Sequence, residues 1–229
     1  MTIADLDFES FRDRLEGPDA DQWPEWIHDR QPRARRTREA ILRTAYELLH
    51  ARPYVEVTLR EIAEETGVSV GAVYDRFPSK EAILTVLGLV TFSGTIRRFE
   101  AALNVLPDEA GLEDVIDAYV GALVDELHRH SFLIQEIRTR AGEVPELRAL
   151  LERTNRRVHE AFLARARKTI ADLPGHATEL RLRFGLFLAN AVAREAILSG
   201  ALGVYGLPLR LPELKEEISD VFAGYLRIQ

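Results

Sequence analysis

The chain has 229 residues, of which 46% are hydrophobic, so it holds enough apolar material for a buried core and is not disordered throughout. It contains no cysteine, which excludes disulfides, thiol nucleophiles and thiolate metal sites. The N-terminus lacks the apolar core of a signal peptide, and no apolar run reaches about 18 residues. We therefore expect a cytoplasmic protein that does not span a membrane.

The net charge of -7 is concentrated at the start of the chain. Residues 1–29 hold nine acids and two bases, whereas residues 30–38 (RQPRARRTR) hold five arginines and no acid. This asymmetry indicates an end of the molecule that faces nucleic acid, although a solvated helix start gives the same pattern. We interpret residues 1–30 as an acidic arm. Its tryptophans suggest docking on the protein's own helices or shielding of the arginines, and a disordered tail is the simpler alternative.

Between proline and glycine residues, apolar side chains recur three and four positions apart, which predicts an all-α protein. The predicted helices span residues 33–51, 59–66, 70–76, 80–104, 109–129, 131–142, 145–172, 177–200 and 212–226. Short helices come first and long ones later, which indicates a small N-terminal module fused to a larger helical bundle. Segment 200–212 has three glycines and two prolines, and we predict a loop there.

Residues 58–77 have the pattern of a helix-turn-helix. Thr58 and Glu61 form a predicted capping box at the start of the first helix. Gly67 supplies the left-handed backbone that a tight turn between helices needs. Ser69 is the predicted cap of the second helix.

The second helix of this motif carries small side chains. Val70, Gly71 and Ala72 allow close approach to base edges in a major groove about 12 Å wide. Tyr74 lies beside them, or its ring is partly buried and supports the turn. Lys80, in the first turn of the next helix, can join free backbone amides in binding a phosphate, or it is a solvated cap residue.

This ordered set resembles the tetracycline-repressor (TetR) family of bacterial regulators over residues 35–95, including Phe77-Pro78-Ser79-Lys80-Glu81. The resemblance implies a three-helix DNA-binding domain at residues 31–84 and a helical ligand-binding and dimerisation domain at residues 85–229. The DNA-binding candidates are Arg36, Thr58, Arg60, Ser69, Val70, Gly71, Ala72, Tyr74, Asp75 and Lys80.

Asp75 departs from the aromatic residue or histidine that is frequent in the family at this position. An acid near phosphates is unfavourable unless Arg76 neutralises it or it accepts a hydrogen bond from a cytosine amine. Both explanations remain open from the sequence.

The resemblance also implies a ligand cavity within residues 85–173 and a four-helix bundle formed by the last two long helices of two subunits. The ligand-binding candidates are Phe92, Phe99, Tyr119, Phe132, Gln135, Arg138 and Phe162, since such sites are mostly apolar with a few polar groups. The dimer-interface candidates are Phe184, Leu188, Val192, Ala196, Ile218, Phe222 and Tyr225. Both sets have the alternative of ordinary core.

The expected function is a homodimeric repressor that binds double-stranded operator DNA and releases it when an unknown small molecule binds. An activator, a broad DNA binder and an interaction protein that has lost DNA binding are the alternatives. No cofactor or metal is expected. An enzyme is disfavoured because the chain has no Ser-His-Asp order, HExxH, P-loop or paired Glu-x-x-His motif.

Overall fold

The computed structural model describes residues 32–170 and 175–227, and every regular element in these ranges is helical. The α-helices are α1 (Pro32–Ala51), α2 (Leu59–Thr66), α3 (Val70–Tyr74), α4 (Lys80–Asn104), α5 (Leu112–Arg129), α6 (Ser131–Arg140), α7 (Pro145–Thr169), α8 (Gly175–Leu198), α9 (Ala201–Val204) and α10 (Leu211–Arg227). A short 3-10 helix, Tyr54–Glu56, links α1 to α2. The all-α prediction is confirmed, and the predicted acidic arm lies outside the described residues.

The ends of every predicted helix fall within three residues of the observed ones, and two details differ. Helix α3 ends at Tyr74, where the periodicity predicted a helix to residue 76. The segment predicted as a loop contains the short helix α9. Gly200 and Gly206 both have left-handed backbone, at φ 65°, and lie before and after α9. Because these two glycines turn the chain outside the helix, the residues between them are free to form a helical turn.

The chain divides into two compact units. Among the described residues, the first comprises residues 32–94 together with Phe132–Glu152, and the second comprises Thr95–Ser131 together with residues 153–170 and 175–227. The sequence predicts one boundary, between residues 84 and 85. A segment remote in sequence, Phe132–Glu152, is part of the first unit because α6 and the start of α7 pack on the same core as the first helices.

The first part of helix α4, up to Gly94, packs in the first unit's core. Leu84 and Leu87 are fully buried, and Gly88 lets neighbouring side chains approach the helix backbone. A Cβ at Gly88 would lie 2.7 Å from Leu150 Cδ2 and 2.8 Å from Ile137 Cδ1. By length and composition alone α4 could cross a membrane. However, 83% of its most apolar 18-residue stretch is buried inside the protein, as in a core helix.

The second unit is built around aromatic side chains. Tyr119 and Phe162 are fully buried, with ring centroids 5.0 Å apart. Phe99 lies 5.3 Å from Tyr119, and Phe222 lies 5.6 Å from Phe162, between ring centroids. Gly185 makes room for this cluster, because a Cβ there would overlap the Phe222 ring. Helices α4, α5, α7 and α10 are thereby joined through one set of rings, and α8 packs against the Phe222 ring at Gly185.

Candidate functional site

The turn between α2 and α3 has the predicted geometry. Thr58 Oγ1 accepts a hydrogen bond from the Glu61 N–H at 3.2 Å, and α2 ends at Gly67 with φ 73° and ψ 30°. Ser69 Oγ then accepts from the Ala72 N–H at 3.1 Å and starts α3. Local side chains therefore fix the direction in which α3 leaves α2.

Only half of the predicted capping box forms. The Glu61 carboxylate, expected to accept from the Thr58 N–H, accepts from Arg52 Nη2 instead. Arg52 follows α1, and its charged donor outcompetes a neutral backbone amide. The pair ties the end of α1 to the start of α2.

Helix α3 presents one face to the core and the opposite face to solvent. Val73 and Phe77 are both 0% exposed, whereas Tyr74 is 54% exposed. The space outside Gly71 is open, since the nearest atom to a Cβ built there would be Ser69 Oγ at 3.9 Å. A duplex could therefore approach the backbone of α3 closely.

The structure leaves most of the predicted DNA contacts at the surface. Arg36, Thr58, Arg60, Ser69, Val70, Gly71, Tyr74 and Asp75 are exposed, and Ala72 and Lys80 are half-buried. Arg60 forms an exposed ion pair with Glu64 at 3.0 Å, which is weak enough to open for a phosphate. These residues remain predicted DNA contacts.

Lys80 is tied into the fold by its ammonium group. Nζ donates to the carbonyls of Tyr54 and Val57, both at 2.7 Å, and lies 4.0 Å from the centroid of the Tyr54 ring. The Arg140 guanidinium also lies over this ring, 3.8 Å from its centroid. Burial lowers the pKa of Lys80, Glu81 opposes this change, and Arg140 lowers the pKa further. Two of the three N–H groups are thus engaged, which leaves one for the predicted phosphate contact.

The arginines at the start of α1 differ in their surroundings. Arg33 and Arg36 are exposed, whereas Arg38 is only 5% exposed and its guanidinium carbon lies 5.7 Å from the centroid of the Phe77 ring. Arg38 therefore packs behind the helix-turn-helix. The basic character of the segment at the surface comes from the residues before it.

The seven predicted ligand contacts do not form one group. Phe99, Tyr119 and Phe162 meet in the second unit, where they are core. The other four, Phe92, Phe132, Gln135 and Arg138, belong to the first unit. Phe92 is 3% exposed, Phe132 packs on Tyr46 and His50, and Gln135 and Arg138 are exposed.

A polar group beside Tyr119 was missed by the sequence analysis. Asn190 Nδ2 donates to the Tyr119 hydroxyl at 2.6 Å, and Asn190 is 5% exposed. Burial raises the pKa of Tyr119, and burial, with Arg194 and Arg183, lowers the pKa of the nearby His159. Asn190 is a lone amide on the apolar face of α8, and this position could have identified it from the sequence as a buried polar residue. Among the described residues, no group of three or more histidines or acids has the arrangement of a metal site.

The predicted dimer contacts fall into two classes. Ala196, Ile218 and Phe222 are 8%, 3% and 1% exposed, so they pack in the chain's own core and have almost no surface to offer a second subunit. Phe184 and Val192 are 46% and 45% exposed. Leu188 and Tyr225 are half-buried, and Tyr225 packs against Phe184 with ring centroids 5.6 Å apart.

An exposed apolar stripe runs along α8. Leu180 and Phe187, which were not predicted as contacts, are 61% and 57% exposed and follow the same helix face as Phe184. On α10, Val221 is 57% exposed. Next to the stripe is a groove whose lining has one charged side chain: Leu188, Ala189, Val192, Leu202, Leu207, Leu209, Leu214, Glu217, Ile218, Val221 and Phe222.

The comparisons with known proteins agree with this geometry. Residues 41–87 match the family model described as bacterial regulatory proteins, tetR family. The chain is 34% identical over 122 residues to the HTH-type transcriptional regulator TcmR of Streptomyces glaucescens, a match that covers 53% of this chain and 47% of TcmR. It is 31% identical over 123 residues to the HTH-type transcriptional regulator EthR of Mycobacterium tuberculosis, covering 49% of this chain and 53% of EthR. The matches thus span about half the length of these relatives.

Solved structures share the whole fold at low sequence identity. A tetR-family transcriptional regulator from Streptomyces coelicolor has a TM-score of 0.57 at 21% identity, over 83% of this chain and 80% of that one. A transcriptional regulator from Saccharomonospora viridis, solved in complex with choline, has a TM-score of 0.67 at 18% identity, over 82% and 96% of the two chains. At this identity the likeness concerns the fold.

Proposed function

Because the chain belongs to the tetR family of bacterial regulatory proteins, we propose that it is a homodimeric repressor that releases its operator when a small molecule binds. As a DNA-binding transcriptional regulator of this family, it would act in the cytoplasm on double-stranded DNA. The observation that carries the proposal is the outward face of α3, where open space outside Gly71 accompanies exposed Ser69 and Tyr74. A helix with such a face fits the major groove.

Homodimerisation is supported by the apolar stripe on α8. Leu180, Phe184 and Phe187 follow one another at spacings of four and three residues, which places them on one face of the helix. A continuous exposed face of large apolar side chains marks an interaction surface. A second copy would cover it with the same face across a twofold axis. The α3 helices of the two subunits, which we call the recognition helices, would then reach half-sites about 34 Å apart.

Effector binding is proposed for the aromatic cluster of the second unit. Tyr119, Phe162 and Phe99 are buried apolar side chains that a ligand would have to move apart to enter, and the buried Asn190 is the kind of polar group that orients a ligand. Arg194 and Arg183 carry positive charge near His159 and lower the pKa of this histidine. Their charge favours an uncharged or anionic effector over a cationic one. On this basis choline, which the Saccharomonospora viridis regulator holds, should not release the operator here.

The proposal is tested by DNA binding and sedimentation of the same samples. The wild-type chain should retain its own upstream DNA in a gel-shift assay, lose affinity steeply with added salt and sediment as a dimer. Phe187→Asp should give a monomer whose operator affinity is about a hundredfold lower, because one half-site is bound instead of two.

Val105→Asp is the matched control for this experiment. Val105 is 80% exposed in the loop after α4, so the same charge is introduced away from the stripe. This variant should remain a dimer with unchanged affinity. Absence of retention by the wild-type chain at low salt would overturn the repressor proposal, and a dimeric Phe187→Asp variant would overturn the proposed interface.

A further inference from the structure

We infer that Asp75 reads a cytosine in the major groove and so fixes one G·C pair in each half-site of the operator. The inference rests on the proposed operator binding and deepens it, since it names the base that one residue of the recognition helix selects.

The position of Asp75 follows from the hydrogen bonds at the end of α3. The Asp75 N–H donates to the Gly71 carbonyl and the Phe77 N–H donates to the Val73 carbonyl, both at 2.9 Å. Although α3 ends at Tyr74, these bonds keep the backbone close to a helical turn as far as Phe77. At about 100° per residue, Asp75 lies about 180° from the midpoint between the buried Val73 and Phe77. It therefore projects from the most outward line of the helix.

Asp75 also lies directly above the small residues of that face. It is four residues after Gly71 and three after Ala72, the spacings of neighbours on a helix surface. The open space outside Gly71 lets a base edge approach at that point, and the carboxylate stands one turn further along. The geometry thus places an acceptor group where base edges come closest.

The structure removes the alternative in which Arg76 neutralises this acid. Arg76 Nη1 donates to the Ala72 carbonyl at 2.8 Å, and Arg76 Nε is buried, so the guanidinium folds back onto α3. Among the described residues, no side chain forms an ion pair or a side-chain hydrogen bond with the Asp75 carboxylate. The acid stays exposed and available to a ligand.

A free carboxylate facing DNA lowers affinity through phosphate repulsion, so its contribution must come from base selection. In the major groove, cytosine offers its N4 amine and no acceptor on the same base. Guanine offers N7 and O6, and thymine offers O4, all of which repel a carboxylate. Adenine offers the N6 amine beside the N7 acceptor, so it is second best. Asp75 therefore favours cytosine.

The test is selection from a random double-stranded DNA library with full-length protein. The wild-type chain should select a motif with one invariant G·C pair in each half-site. Asp75→Ala should lose the preference at this pair alone, with about a tenfold fall in discrimination, and should bind random DNA more tightly. Asp75→Asn should shift the preference to A·T, because asparagine pairs with adenine N6 and N7.

Glu47→Ala is the control for charge. Glu47 is exposed on α1, so its replacement removes the same charge from the first unit while every base preference should be kept. Thermal unfolding should be alike for all variants, since Asp75 is exposed and in ordinary right-handed backbone at φ −60°. If both Asp75 variants select the wild-type motif unchanged, the inference is overturned. If the wild-type chain selects no motif, the proposed operator binding itself fails.

Discussion

The helix-turn-helix and the last two long helices both leave uncharged side chains at the surface, but they do so by different means. In the helix-turn-helix, caps at Thr58 and Ser69 and the left-handed Gly67 determine the backbone, and the exposed face of α3 carries Val70, Gly71 and Tyr74. In α8 and α10, packing around Phe222 decides which side chains turn inward and which remain as a stripe. The first surface is set by neighbours in sequence and the second by neighbours in space.

This difference has a consequence for mutation. A change in the helix-turn-helix should alter DNA binding while the fold persists, because its outward residues touch little else. A change between α8 and α10 should alter stability first, since the same rings hold several helices together. Three experiments examine this contrast.

The largest effect is expected for Gly185→Ala. The new Cβ would overlap the Phe222 ring, which is 1% exposed and would have to move out of its packed position, so the free energy of unfolding should fall by about 3 kcal/mol. Denaturant unfolding measures this change. Gly224→Ala, in α10 with nothing within 4 Å of the added Cβ, should instead gain about 0.5–1 kcal/mol. Equal stabilities of the two variants would show that Phe222 does not fill this space.

A smaller effect is expected for Lys80→Ala. Loss of the two bonds to the Tyr54 and Val57 carbonyls should lower the free energy of unfolding by about 2 kcal/mol. Arg36→Ala, at an exposed site on α1, should leave stability unchanged and reduce the slope of log affinity against log salt by about 1. A Lys80→Ala variant with normal stability and a reduced salt slope would show that Lys80 serves in phosphate binding and contributes nothing to the fold.

The smallest effect concerns His159 and pH. Burial, with the charges of Arg194 and Arg183, lowers its pKa in the folded state, so the unfolded chain takes up the proton more readily. The free energy of unfolding should therefore fall as the pH drops through about 6.5, because the neutral His159 ring of the folded state is then no longer favoured; the change should be less than about 1 kcal/mol. His159→Gln should remove this part of the pH dependence in thermal unfolding. Parallel pH curves for the two proteins would mean that His159 titrates normally.

Several predictions from sequence were accurate because they depend on short-range chemistry. The bounds of α2 and α4, the left-handed Gly67 and the cap at Ser69 all follow from residues within a few positions of each other. The capping box was half wrong for the opposite reason. Glu61 pairs with Arg52, nine residues earlier, and the 3-10 helix between them brings the two together.

Aromatic residues were the least predictable from sequence. Phe132, Tyr119 and Phe184 look alike in a helical pattern, yet Phe132 packs on α1, Tyr119 is fully buried and Phe184 is 46% exposed.

The hydrogen-bond partners of Lys80 were also not predictable from sequence, because Tyr54 and Val57 lie more than twenty positions before it. Periodicity indicates that a face is apolar and leaves the element that covers it undetermined.

By itself, then, the sequence determined the helices, the turn of the helix-turn-helix and the small outward face of α3, since hydrogen bonds and backbone preferences act over a few residues. Only the tertiary structure decided that Phe132–Glu152 joins the first unit and that Phe222 is buried while Phe187 is exposed. It also decided that Arg76 donates to the Ala72 carbonyl and forms no ion pair with Asp75. Burial depends on side chains that meet across long stretches of chain, and their meeting is a property of the folded molecule.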